Sequence, residues 1–147
     1  MKIWVDGDSC ARGAMDVLLS CARQRELDVH VVADRLIPAT RVGRISMSIV
    51  SGGKDSVDGF IFSRARSGDI AVTRDFTLGI RLIGNGVTVM NDFGKVWTAR
   101  DLGVRKEDAE LMLAIRRGGI TRKSSTRYSP KTSSSFESSL LRLVDGM

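Results

Sequence analysis

Apolar strand-like runs alternate with helical stretches along this chain. That alternation predicts an α/β protein, with a mostly parallel central sheet of about five strands and helices packed on both faces, a three-layer α/β/α arrangement. Three observations carry the prediction. The opening run Ile3-Trp4-Val5 ends at Asp6 and is followed by a helical pattern. The same strand-then-helix order returns at Ile45 and again at Ile70. The run at Ile3 is apolar throughout, as strands covered on both faces must be.

Taken in order, Ile3 to Val5 is the first strand. A helix is expected from Ser9 to Arg25, with Ser9 as N-cap and Ala14, Val17, Leu18 and Cys21 recurring at helical spacing. Leu27 to Ala33 is a second strand ending at Asp34, and its lone His30 reads as structural. Pro38 marks the loop that follows. Ile45 to Val50 alternates apolar and polar residues, so one face of that strand is lightly covered. Asp55 to Ser67 is a helix, and Ile70 to Thr73 is a strand that runs into Arg74 and Asp75. Phe76 to Asn85 is a helix closed by the Gly84-Asn85-Gly86 stop, and Val87 to Met90 is the fifth strand. A further helical region is expected from Thr98 to Arg117, broken near Gly103. Ser134 and Glu137 have capping-box spacing, so a terminal helix is expected there, with Phe136, Leu140, Leu141 and Val144 on one apolar face. That face suits docking on the body or on a second copy, which makes a homo-oligomer through this helix an expectation.

At 147 residues the chain is long enough for a sizeable core, and 42% hydrophobic with 27% charged residues is an ordinary globular balance. The α/β domain is expected over residues 1–118, with a basic, Ser-rich tail and a short terminal helix over 119–147. The net charge of +6 is local to that boundary. Arg116, Arg117, Arg122, Lys123, Arg127 and Lys131 form a run with no intervening acid, and elsewhere acids and bases balance. A basic run of this kind, Arg116 to Lys131, suits contact with RNA phosphates. No apolar stretch reaches the ~20 residues of a membrane span, and the first residues read as a strand, not a signal peptide. A cytoplasmic location, with no membrane partner, is the expectation. Cys10 and Cys21 on one helix stand roughly 16 Å apart, too far to bridge. With one His and no CxxC pair, a zinc site is not expected.

The chemistry sits in the acids. Asp6 and Asp8 are two apart in an extended segment and face the same way. Asp75 closes another strand, and Asp55 and Asp58 share one side of a helix start. In a parallel sheet the ends of the first and fourth strands and the start of the helix after the third converge on one crevice. Asp6, Asp8, Asp58 and Asp75, with Asp55 nearby, are therefore the expected catalytic and metal-binding acids. An oxygen-only set of this kind suits Mg²⁺ or Mn²⁺ and metal-assisted phosphodiester hydrolysis. Ser9, Thr73 and Asn91 are candidates for phosphate hydrogen bonds, and Arg41 and Arg44 could reach a phosphate. Ser51-Gly52-Gly53-Lys54 lacks the residues of a phosphate loop, and no GxGxxG is present.

Ile3-Trp4-Val5-Asp6-Gly7-Asp8-Ser9-Cys10 resembles the "IWVDADAC" opening of the bacterial YaiI/YqxD family, placed with the PIN-like nucleases. Asp55-Ser56-Val57-Asp58 is similar to that family's acid pair, Gly68 to Asp75 to its "GDLVITAD", and Asn91 with Gly94 to its "NPRG" turn. Ala11 stands where the family has proline. The resemblance covers roughly residues 1–120. It implies a PIN-like fold and an Mg²⁺- or Mn²⁺-dependent nuclease acting on RNA, with Asp6, Asp58 and Asp75 as metal-binding acids and Asp8 as a fourth. Two rival readings stand beside it. Val5-Asp6-Gly7-Asp8-Ser9 also resembles the nucleophile motif of haloacid-dehalogenase-type phosphatases, with Asp6 as nucleophile. The domain could instead bind RNA or a ribonucleoprotein without catalysis, as a regulatory protein.

Overall fold

The computed structural model describes residues 1–38, 43–52, 54–97 and 128–146, with Lys54 and Asp55 described by their backbone alone. The helical region expected from Thr98 to Arg117, Arg41 and the basic residues Arg116 to Arg127 lie outside the described residues.

The elements follow in the order β1 (Ile3–Asp6), α1 (Arg12–Arg25), β2 (Val29–Ala33), β3 (Ile45–Ile49), α2 (Lys54–Arg64), β4 (Ile70–Val72), α3 (Phe76–Gly84), β5 (Thr88–Met90), β6 (Val96–Trp97) and α4 (Pro130–Asp145). The six strands lie side by side as β3-β2-β1-β4-β5-β6. Every pair is parallel except the antiparallel β5–β6 hairpin. The α/β/α fold read from the alternation is the fold observed, with one strand more than expected. β6 is only two residues long, too short for any periodic signal, and its place follows from the Asn91–Lys95 turn.

Successive strand residues face opposite sides, and this divides the core in two. Ile3, Val5, Val29, Val31, Ile70 and Val72 pack against Ala14 and Leu18 of α1 and Phe136 and Leu140 of α4. Trp4, Val32, Ala71 and Val89 pack on the other face against Val57 and Ile61 of α2 and Leu78 and Leu82 of α3. The terminal helix thus docks within its own chain, with Phe136 and Leu140 fully buried and Arg25 of α1 paired to Asp145.

Two helix starts differ from expectation. α1 begins at Arg12, not Ser9, and its N-cap Ala11 has no side-chain bond to offer. Asp92 supplies one from across the sheet, accepting the Ala11 N–H at 2.7 Å. α4 begins at Pro130, with a capping box between Ser129 and Thr132 instead of Ser134 and Glu137. Proline suits the first helical position, where its missing N–H is not needed.

Candidate acidic site at the switch point

β1 connects to β2 on one side, and the chain returns on the other side of β1 as β4. Reversals of this kind open a crevice at the carboxyl ends of the two strands, where α/β sheets hold their ligands. Asp6 ends β1, and Thr73 follows β4. Asp6 shares the face of Trp4, and Thr73 that of Ala71, so the two meet across the gap. The Thr73 hydroxyl donates to Asp6 Oδ2 at 3.0 Å. Thr73 Oγ1 in turn accepts the Asp75 N–H at 3.0 Å, which fixes the direction of the hydroxyl.

Asp6 is only 3% exposed, and the Thr73 hydroxyl is its one side-chain hydrogen bond among the described residues. Asp8 sits beside it at the surface. Its carboxylate accepts the Asp34 N–H at 3.1 Å. Partial withdrawal from water, with the Asp34 and Asp6 charges adding to it, raises the Asp8 pKa above the ordinary carboxylate value. The ends of β1 and β2 therefore gather Asp6, Asp8 and Asp34 at one rim.

The remaining expected residues divide. Asp75 Oδ1 accepts the Leu78 N–H at 3.1 Å and is the N-cap of α3. Asp58 is half-buried on α2. Among the described residues no three His, Cys, Asp or Glu side chains stand close enough to hold a metal ion directly. The quartet of Asp6, Asp8, Asp58 and Asp75 is thus not gathered around one point, and the Asp55 side chain lies outside the described part. Ser9 Oγ accepts the Arg74 N–H at 3.2 Å. Asn91 Oδ1 accepts the N–H groups of Phe93 and Lys95 at 3.0 and 2.9 Å, closing the turn after β5. Arg44 does not face the crevice. It precedes β3 at the amino edge of the sheet, near Asp28 and bonded to the Glu26 carbonyl, at the opposite end from Asp6.

Comparison with known proteins bears on the whole chain. Residues 4–146 match the family model described as "Uncharacterized BCR, YaiI/YqxD family". The chain belongs to the YaiI/YqxD family. A UPF0178 protein of Myxococcus xanthus is 31% identical over 142 residues, covering 97% of this chain and 93% of the relative. UPF0178 proteins of Desulfotalea psychrophila and Geobacter metallireducens are each 27% identical over 144 residues, covering 98% of this chain and 97% and 93% of theirs. No solved structure matches. For this YaiI/YqxD protein the match includes α4, so the terminal helix lies within the family's span.

Two features of the rim were missed in the sequence. Asp34 ends β2 as Asp6 ends β1, so the strand-end rule, applied evenly, would have found it. Asp92 and Arg74 had no such signal. They form a bidentate pair, with Nε to Oδ1 at 2.8 Å and Nη2 to Oδ2 at 2.6 Å. Cys10 lies in the same neighbourhood, and burial, with the Asp92 charge adding to it, pushes its thiol up to about 12.

Proposed function

We propose that this protein is a PIN-like, metal-dependent nuclease that hydrolyses RNA phosphodiesters at the crevice between β1 and β4. One observation carries the reading: the Asp6 carboxylate, nearly closed off from water at the switch point, with the Thr73 hydroxyl as its single described side-chain partner. A buried carboxylate with so little compensation is costly unless a cation or further donors complete it.

The donor chemistry fits Mg²⁺ or Mn²⁺. The rim offers carboxylate and hydroxyl oxygens. Mg²⁺ keeps several waters and needs only one or two carboxylates, with substrate phosphate filling the rest of its shell. Asp6 and Asp8 are the residues to hold it. Such an ion, when bound, activates water and offsets charge on the phosphate. The chain's own residues do the positioning. Thr73 aims Asp6, the Asp75 N–H aims Thr73, and the Asp34 N–H holds Asp8. The basic run from Arg116 to Lys131 supports RNA as the substrate.

Cleavage of a fluorophore–quencher RNA under Mn²⁺ tests the reading, with Mn²⁺ titration by calorimetry alongside. Asp6→Asn keeps the acceptor for Thr73 but removes the charge, and is expected to lose both cleavage and Mn²⁺ binding. Intact RNA with the wild-type protein, or an unchanged Asp6→Asn variant, refutes it. A phosphorylated Asp6 seen by mass spectrometry would support the phosphatase instead.

A further inference from the structure

The three residues that follow β4 have different work. Thr73 holds Asp6 and Asp75 caps α3, whereas the side chain of Arg74 turns to the end of β5. There Nε and Nη2 bind Asp92, which is 1% exposed and also holds the Ala11 N–H at the start of α1. The guanidinium stands 5.2 Å from the centre of the Phe93 ring, and Phe93 is braced edge-on against Tyr128 at 5.3 Å. The Arg74 N–H is itself tied to Ser9 Oγ. Yet the Arg74 side chain is 48% exposed, and among the described residues Nη1 has no acceptor. An arginine kept only to neutralise Asp92 needs the two bonds it already makes. This one is fixed in direction by a buried carboxylate and still presents donors to solvent, at the rim that carries Asp6.

We infer that Arg74 contacts a phosphate of single-stranded RNA, with Asp92 as the residue that positions it. This rests on the nuclease reading of the rim. The planar guanidinium matches phosphate oxygens, and holding it in place beforehand removes most of the ordering cost that a free surface arginine bears on binding. Asp92 cancels the charge at long range, so Arg74 acts as a short-range oriented contact. The basic run supplies the general attraction.

The test is fluorescence anisotropy with a short fluorescein-labelled uridine oligonucleotide, in EDTA so that neither metal nor cleavage intervenes. Arg74→Gln/Asp92→Asn removes the contact without changing the net charge or stranding a buried acid. A thermal melt confirms that the variant is folded. Binding is expected to weaken about tenfold, as for the loss of a hydrogen bond to a charged group. Because the Arg74–Asp92 pair is neutral overall, the slope of log affinity against log salt is expected to stay nearly the same. Affinity changed by less than about twofold overturns the inference. Cleavage under Mn²⁺, followed in parallel, separates the two ideas. Wild type that binds and cleaves while the double variant binds equally well removes Arg74 alone, and wild type that does neither removes the nuclease reading as well.

Discussion

Replacing Arg74 by glutamine should destabilise the fold, and more than replacing its partner. Asp92 is 1% exposed and Arg74 is 48% exposed, so the pair is buried on one side only. Removing one partner of a buried pair costs ~3–5 kcal/mol, because the other charge is left without compensation. Water can follow into the space vacated at the exposed Arg74 side, which places Arg74→Gln below that range, at about 2–3 kcal/mol. Asp92→Asn leaves an arginine that water can solvate and an amide oxygen that can still accept the Ala11 N–H. Its cost is about 1 kcal/mol. The double variant has no stranded charge, so it should be more stable than Arg74→Gln alone, a coupling whose sign is the prediction. Urea unfolding followed by the fluorescence of Trp4 and Trp97 measures all three. In a domain of this size Arg74→Gln should melt about 5–10 °C below wild type. A double variant less stable than Arg74→Gln, or a cost for Arg74→Gln under about 1 kcal/mol, refutes the reasoning.

Two further outcomes follow from the packing. Phe136→Ala removes a fully buried ring from the core between α1, α4 and the sheet. It should cost about 3–5 kcal/mol in urea unfolding, and a loss under about 1 kcal/mol would mean that α4 is not anchored there. His30 lies between Ser46 Oγ at 2.7 Å and Ser48 Oγ at 2.8 Å and stacks on Phe60. Burial, with the Lys2 and Arg64 charges adding to it, lowers its pKa below 6.5. The unfolded chain therefore takes up the proton first as pH falls. Stability should be full above 6.5 and decline as pH drops through the lowered value, a slope that His30→Gln should flatten in urea midpoints taken between about pH 7.5 and about pH 5.

What could be read in the sequence follows from how local each signal is. Ile3 to Val5 and Ile70 to Val72 are covered on both faces, so burial wrote them as unbroken apolar runs. The three-layer architecture came with them. The start of α1 was less legible because the group that satisfies it is not local. Ser9 has the chemistry of a cap, but its hydroxyl serves the Arg74 N–H, and the start of α1 is satisfied by Asp92, 81 residues away. Arg44 looked free to reach a phosphate, yet its position just before β3 sends it to the amino edge. Strand polarity, not residue type, decided that. Asp6 was nominated by the strand-end rule and Thr73 as a hydrogen-bonding candidate, and the two meet across the crevice, whereas Asp75 and Asn91 are engaged with nearby backbone N–H groups.

The turn from Asn91 to Lys95 joins the parts that sequence could not connect. Gly94 adopts φ 90°, and a Cβ there would fall 2.8 Å from the Ser135 carbonyl oxygen, so only glycine lets α4 approach. Ser139 then locks the contact by donating to the Gly94 carbonyl at 2.7 Å. The same turn carries Asp92, which holds Arg74 and the start of α1. One short turn thus touches α4 through Gly94 and Arg74 through Asp92. Loosening that helix at Gly94 or Ser139 should disturb the direction of Arg74 before it disturbs the strands, since β1 and β4 are joined directly by their own ladder.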